Sequence, residues 1–226
     1  LWSSLEQEQQ YLMGVPETAG LMTTPWSPPE KHFINVSSDC SLDEKGDLSG
    51  KVRIDADGQG DAAIRRVLLR NPLPAIRSFV ATVVTSWYPT AEIGAVSYQD
   101  PNDISQPMTI SVEFRCPGFA RVADDAMFLY SPVLKQYLSD PGTAPYLQWR
   151  IDAKERKTPL SGRCTATYRW TETLRAPAGY ALKKVPDPIK LDGEAASYDR
   201  TIAWKDGAVH VDGTLVLKKR IFPVEA

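Results

Sequence analysis

CTATYRWTETLR, residues 164–175, is the stretch of this sequence that decides the fold. Apolar side chains occupy alternate positions within it: Cys164, Ala166, Tyr168, Trp170 and Leu174. Because successive side chains of a β-strand point to opposite faces, the pattern predicts a strand with one buried and one solvent-facing side. Glu172 alone interrupts the apolar row. The same alternation recurs at residues 48–56 and 108–116, which predicts an antiparallel sheet that packs on one face.

The hydrophobic period changes between two of these strand patterns. Apolar residues recur there at three- and four-residue spacing: Ile64, Val67, Leu68, Ile76, Phe79, Val80, Val83, Val84 and Trp87. This spacing is typical of an amphipathic helix, and Pro72 divides the run into two helices. We therefore predict a mainly β (α+β) fold, an antiparallel β-sandwich with a helical hairpin inserted at about residues 61–88.

Glycine and proline residues suggest three parts of the chain. Residues 1–30 are predicted to be a lead-in from a preceding domain, since their prolines and glycines interrupt regular structure. The residues expected to pin this lead-in to the body are Tyr11, Leu21 and Trp26. Residues 31–142 are predicted to be a β-rich part with the two helices, and residues 143–226 an all-β antiparallel part that packs with it as one domain.

Two local signals mark turns. Asp43–Gly46 is predicted to turn the first hairpin, with Gly46 available for a positive φ. Asp206 and Gly207 separate two apolar-rich runs, and such a pair is the strongest local hairpin signal. Gly213 inside the second run suggests a β-bulge.

Composition and charge exclude two classes of protein. The chain has 226 residues, of which 42% are hydrophobic and 24% charged, and this is typical of a soluble globular protein. Its formal net charge of −2 argues against nucleic-acid binding, which needs a strong positive field. No apolar run approaches the length that a transmembrane segment needs.

The residues that could carry catalysis are few. The three cysteines, at positions 40, 116 and 164, allow at most one internal disulfide, and a bridge from Cys40 to Cys116 stays open. One alternative is a hydrolase with Cys116 or Cys164 as the nucleophile, which requires His32 or His210 as a base beside the thiol. We expect neither a metal site nor a cofactor, since no paired-cysteine or complete calcium-loop motif occurs.

Four residues are candidates for ligand contacts. Arg65 and Arg66 lie on the predicted helical pair and would contribute to a basic patch, although a solvated helix face explains them as well. Trp149 and Tyr146 lie in a segment without a clear period. Exposed aromatic side chains of this kind favour the alternative of a carbohydrate- or peptide-binding module at the cell surface.

Six short motifs, in this order, carry a family resemblance. They are YLMGVPE at 11–17, LDEKGDLSG at 42–50, GDAAIRR at 60–66, RKTPL at 156–160, PAGY at 177–180 and KRIFP at 219–223. Their order resembles that of the C-terminal domain of unknown function in bacterial transglutaminase-like proteins. The resemblance spans nearly the whole chain.

The resemblance implies a role without chemistry. In such proteins a papain-like domain with a Cys-His-Asp triad precedes the C-terminal domain, so the catalytic residues are expected upstream of this chain. We therefore expect a non-catalytic accessory or interaction module of a larger transglutaminase-like or protease-like protein. Its implied partners are that upstream domain and a protein, peptide or glycan ligand. The implied location is the periplasm, the cell envelope or the exterior of a bacterium.

Overall fold

A computed structural model describes residues 6–16, 20–131, 137–139, 144, 147 and 156–224. The predicted mainly β fold with a pair of helices is confirmed. The helices are α1 (Gln59–Leu69) and α2 (Leu73–Trp87), close to the predicted bounds. The strands are β1 (Gln10–Tyr11), β2 (Met22–Thr23), β3 (Phe33–Leu42), β4 (Leu48–Asp57), β5 (Glu92–Tyr98), β6 (Met108–Cys116), β7 (Arg121–Ala123), β8 (Ala126–Phe128), β9 (Leu160–Ser161), β10 (Ala166–Arg175), β11 (Ile189–Asp192), β12 (Ala196–Lys205), β13 (Ala208–Leu217) and β14 (Ile221–Phe222).

Eight strands form one sheet in the order β11-β12-β13-β10-β3-β4-β6-β5. The sheet is antiparallel, as predicted, except at its centre, where β3 and β10 run parallel. This pair joins two antiparallel halves that are far apart in sequence. The alternating pattern fixes which face each side chain takes, but it carries no information on the direction of a neighbouring strand.

The layer over β4 and β6 is helical. Buried side chains of α1 and α2 pack against the apolar face of these strands: Ile64, Leu68, Val80, Val84 and Trp87 on the helices, and Val52, Ile54, Ile110 and Val112 on the strands. In the predicted sandwich a second large sheet would have taken this place. In the described residues the remaining strands instead form three two-stranded ribbons, β1-β2, β7-β8 and β9-β14.

Both predicted turns form. Gly46 has φ +83°, and the Asp43 carboxylate accepts hydrogen bonds from the backbone N–H groups of Lys45 and Asp47, each at 2.9 Å. The predicted bulge at Gly213 is wrong, since β13 pairs with both of its neighbours in unbroken register. Glycine occupies this position because the indole of Trp170 fills the space where a Cβ would stand.

Candidate interaction surface

Polar side chains fix the lead-in to the body of the domain. Gln7 is fully buried, and its Oε1 accepts a hydrogen bond from the backbone N–H of Ser27 at 2.9 Å. The hydroxyl of Thr165, on the segment before β10, donates to the carbonyl of Ser27 at 2.6 Å. Because breaking a buried hydrogen bond leaves an unpaired polar group, these contacts define the path of the chain more strictly than apolar contacts would.

His32 lies under the same segment. It is 1% exposed, and its Nδ1 accepts a hydrogen bond from the backbone N–H of Gln59 at 3.2 Å, at the start of α1. Its Nε2 lies 3.4 Å from Nε2 of Gln7. Burial lowers the pKa of His32, so the ring is held neutral and able to accept from the helix. This histidine therefore connects the lead-in to α1.

Arg220 holds the lead-in from the C-terminal side. Its guanidinium donates to the backbone carbonyl of Gln7 and to the carboxylate of Glu8, the latter at 3.2 Å. Backbone bonds between Glu8 and Thr24 then close the small β1-β2 ribbon. The lead-in is thus held both by residues close to it in sequence, such as His32, and by Arg220 near the other end of the described chain. No periodic pattern marks Gln7 or Arg220 in the sequence, so sequence reasoning missed these residues.

The lead-in also exposes an unusual amount of apolar surface. Its exposed apolar side chains, here called the lead-in surface, are Leu12, Met13, Val15, Leu21, Met22 and Trp26. Leu21 is 66% exposed and Trp26 51%, so the prediction that they pin the segment to the body is wrong. The buried polar contacts do that instead. Because clustered apolar side chains on a surface are typical of interaction sites, the lead-in surface is a candidate interaction surface.

The thiols and histidines are not brought together. All three cysteines are free and buried. Among the described residues no hydrogen bond joins a thiol to a histidine: Cys116 contacts the hydroxyl of Thr90 at 3.0 Å, and His210 contacts Thr173. Burial raises the pKa of Cys164 to about 12. A nucleophilic thiol needs the opposite shift.

The interruption in the apolar row of β10 has a defined environment. Glu172 is 4% exposed, it accepts a hydrogen bond from the hydroxyl of Ser131, and it lies opposite Ser38 of β3. The hydroxyl of Ser38 is in turn 3.4 Å from the thiol of Cys40 and 3.5 Å from the hydroxyl of Tyr88. Burial raises the pKa of Glu172 to about 7 and that of Cys40 to about 11. The core therefore contains a polar cluster with a carboxyl group that titrates near neutral pH.

The candidate arginines lie in different environments. Arg65 is 6% exposed, pairs with Asp61 at 2.7 Å and donates to four backbone carbonyls in residues 100–106. Its guanidinium thus organises the loop before β6. Arg66 is exposed on the same helix and stays a candidate for ligand contacts. The aromatic candidates, Trp149 and Tyr146, lie outside the described residues.

Two kinds of functional feature are absent from the described ranges. Within them, no group of three or more His, Cys, Asp or Glu side chains is arranged to hold a metal ion. Neither α1 nor α2, nor any other described helix, has the length and apolar character to cross a membrane.

The chain thus combines a mainly β domain with an anchored lead-in that exposes apolar side chains. A family model described as a domain of unknown function with a solved structure, DUF3858, matches residues 128–226. That range contains strands β9 to β14, and this part of the chain is therefore similar to the DUF3858 family. No curated protein and no solved structure matched the chain.

Proposed function

We propose that this chain is a non-catalytic accessory and interaction module of a larger transglutaminase-like or protease-like secreted protein. In this proposal the lead-in surface docks the module on the catalytic domain that precedes it in the same polypeptide. The proposed location is the periplasm or cell envelope, which follows from the family resemblance. The similarity of residues 128–226 to a domain of unknown function supports the view that this part of the chain is a recurring domain.

The observation that carries the proposal is the contrast within the lead-in. Its backbone is held by buried polar groups of Gln7, Ser27 and Arg220, while its apolar side chains are exposed. A segment that only linked two domains would not need its backbone to be fixed by buried hydrogen bonds. A surface that is fixed before it binds loses less conformational entropy on association, and this favours docking.

The thiols support a non-catalytic role. Burial raises the pKa of Cys40 and of Cys164, so both stay protonated at neutral pH. In the described residues neither thiol contacts a histidine that could remove its proton. Catalysis in the proposed protein belongs to the upstream domain.

The docking proposal is tested in the full-length protein by limited proteolysis between the two domains. The double variant Leu21→Ser, Trp26→Ser removes two exposed apolar side chains of the lead-in surface, one before and one after β2. We expect the junction to be cleaved roughly tenfold faster, because a loss of about 1.4 kcal/mol of docking energy changes the undocked fraction by that factor. Leu191→Ser is the matched control, since Leu191 is 63% exposed on β11 and lies outside the lead-in.

Equal cleavage of the wild type, the double variant and the control would refute the docking role. A full-length gene product that carries no Cys-His-Asp domain before this module would refute the proposed partner. The two results are distinguishable, because the second is read from sequence and the first from the protein.

A further inference from the structure

Two N–H donors on the apolar face of the large sheet have no acceptor in the part of the chain that the structure describes. They are Nε1 of Trp170, on β10, and Nε of Arg200, on β12. More than nine in ten buried polar groups in native proteins are paired, and each unpaired one costs about 1–3 kcal/mol. Two such donors on one face therefore need an explanation.

The two donors belong to residues on either side of one glycine. Trp170, Gly213 and Arg200 lie in register on the neighbouring strands β10, β13 and β12. A Cβ built on Gly213 would lie 2.1 Å from Cε2 and Cζ2 of Trp170 and 2.6 Å from its Nε1. The indole therefore lies across Gly213, on the strand that separates Trp170 from Arg200.

The charge of Arg200 is not balanced locally. Its Nη2 donates to the backbone carbonyl of Asp187 at 3.2 Å, and no carboxylate in the described residues forms an ion pair with it. The one carboxyl on this face of β10, β12 and β13 belongs to Glu172, which is bonded to Ser131. A half-buried guanidinium without a counter-ion attracts an anion strongly, because its surroundings screen it poorly.

The last strand of the sheet borders the residues that carry the two donors. β11 is the last strand, and its Ile189 lies directly opposite Arg200 and is 37% exposed. The next apolar residue of β11, Leu191, is 63% exposed and lies opposite Tyr198. The ring of Tyr198 is 5.8 Å from that of Trp170. Apolar and aromatic side chains thus lie beside the two donors at this end of the sheet.

We propose that Trp170 and Arg200 bind a carboxylate group, contributed by a small organic acid or by a peptide. A carboxylate has two acceptor oxygens and a negative charge, while the guanidinium Nε–H and the indole N–H can only donate. One oxygen would satisfy each orphan donor, and the apolar surroundings would strengthen both bonds. The site lies on different elements from the lead-in surface, so it does not rest on the docking proposal. It would give the alternative of a peptide-binding module a specific chemical basis.

The indole N–H resonance of Trp170 reports on this site directly. It is assigned with Trp170→Phe and followed in ¹H–¹⁵N spectra of the protein during addition of sodium acetate, with sodium chloride at equal ionic strength as the reference. We expect a saturable shift with acetate and none with chloride. Arg200→Met should weaken acetate binding at least tenfold, while Lys205→Met, which removes an exposed cation of the same strand, should leave it unchanged.

Two peptide ligands separate the sources of the carboxylate. A tripeptide with a free C-terminus and its C-terminal amide are titrated in the same way. Binding of the free form at least tenfold tighter than acetate, with none of the amide, identifies a peptide terminus. Binding of acetate and the free tripeptide with similar affinity identifies a small organic acid. Either result supports the site.

The proposal fails if acetate produces no saturable shift in the wild type, or if the shift is the same in Arg200→Met. It also fails if the Trp170 N–H is found bonded to a long-lived water that acetate does not displace, because that water would account for the donor. If Arg200→Met does not fold, the wild-type comparison of acetate with chloride still decides the outcome.

Discussion

Replacing Glu172 with Gln should stabilise the protein far more at pH 8 than at pH 4.5. The carboxyl lies on the apolar face of β10, 4% exposed, where burial raises its pKa from the ordinary 4.5 to about 7. A raised pKa in the folded state means that its stabilising contribution is fully present below pH 4.5 and is lost as the pH rises through 7. Glutamine keeps an acceptor for the hydroxyl of Ser131 and removes the titration.

The size of the effect follows from the two titration points. Between pH 4.5 and 7 the unfolded chain has released the proton and the folded chain retains it. Each pH unit in this range lowers the free energy of unfolding by about 1.4 kcal/mol, so the wild type loses about 3 kcal/mol relative to Glu172→Gln. For a domain whose stability is typically about 5–15 kcal/mol, this is a large fraction.

The assay is urea unfolding of both proteins at half-unit steps from pH 4.5 to 8. His32 also makes stability depend on pH, because burial lowers its pKa and the folded protein loses stability as the pH falls below 6.5. Both proteins contain His32, so comparing them at each pH removes its contribution. Glu113→Gln, an exposed carboxyl on β6, is the matched control and should follow the wild-type profile. A constant difference between wild type and Glu172→Gln across the whole range would refute the reasoning.

Two other substitutions test how buried groups hold the fold. Arg65→Met should lower the free energy of unfolding by about 3 kcal/mol, because it leaves Asp61 without its buried partner, while Arg66→Met should change it by no more than about 0.5 kcal/mol. Equal effects in thermal unfolding would contradict the assigned role of Arg65. Gly213→Ala should cost about 2 kcal/mol or more by displacing the ring of Trp170. Retention of wild-type stability with an unshifted indole resonance would contradict the close contact between Gly213 and this ring.

Local patterns predicted the elements because they depend only on neighbours in sequence. The alternation at 164–175 placed a strand, and the three- and four-residue spacing at 61–88 placed two helices, since strand and helix periods are geometric. Gly46 and the Asp206–Gly207 pair were likewise interpretable from the φ angles that turns need. The bulge predicted from Gly213 was wrong, because glycine is needed at this position to make room for the Trp170 ring of another strand.

The candidate sites depended on contacts that no sequence pattern encodes. Gln7 accepts a hydrogen bond from Ser27, and Arg220 donates one to the carbonyl of Gln7, which is almost the whole chain away in sequence. No periodic pattern in the sequence marks these residues. Arg65 was singled out as a possible ligand contact, and only its burial showed that its donors serve the loop before β6. Long-range polar contacts of this kind arise once the sheet has brought distant strands together.

The sequence by itself determined which residues of the long strands and the two helices face inward and where the hairpins turn, because side-chain periodicity and backbone angles are local properties. The tertiary structure decided the parallel pairing of β3 with β10, the polar anchoring of the lead-in and the alignment of Trp170 and Arg200 on either side of Gly213. Each of these three features requires two segments that are distant in sequence to lie next to each other in the fold. Which distant segments meet depends on the packing free energy of the whole domain rather than on either segment alone.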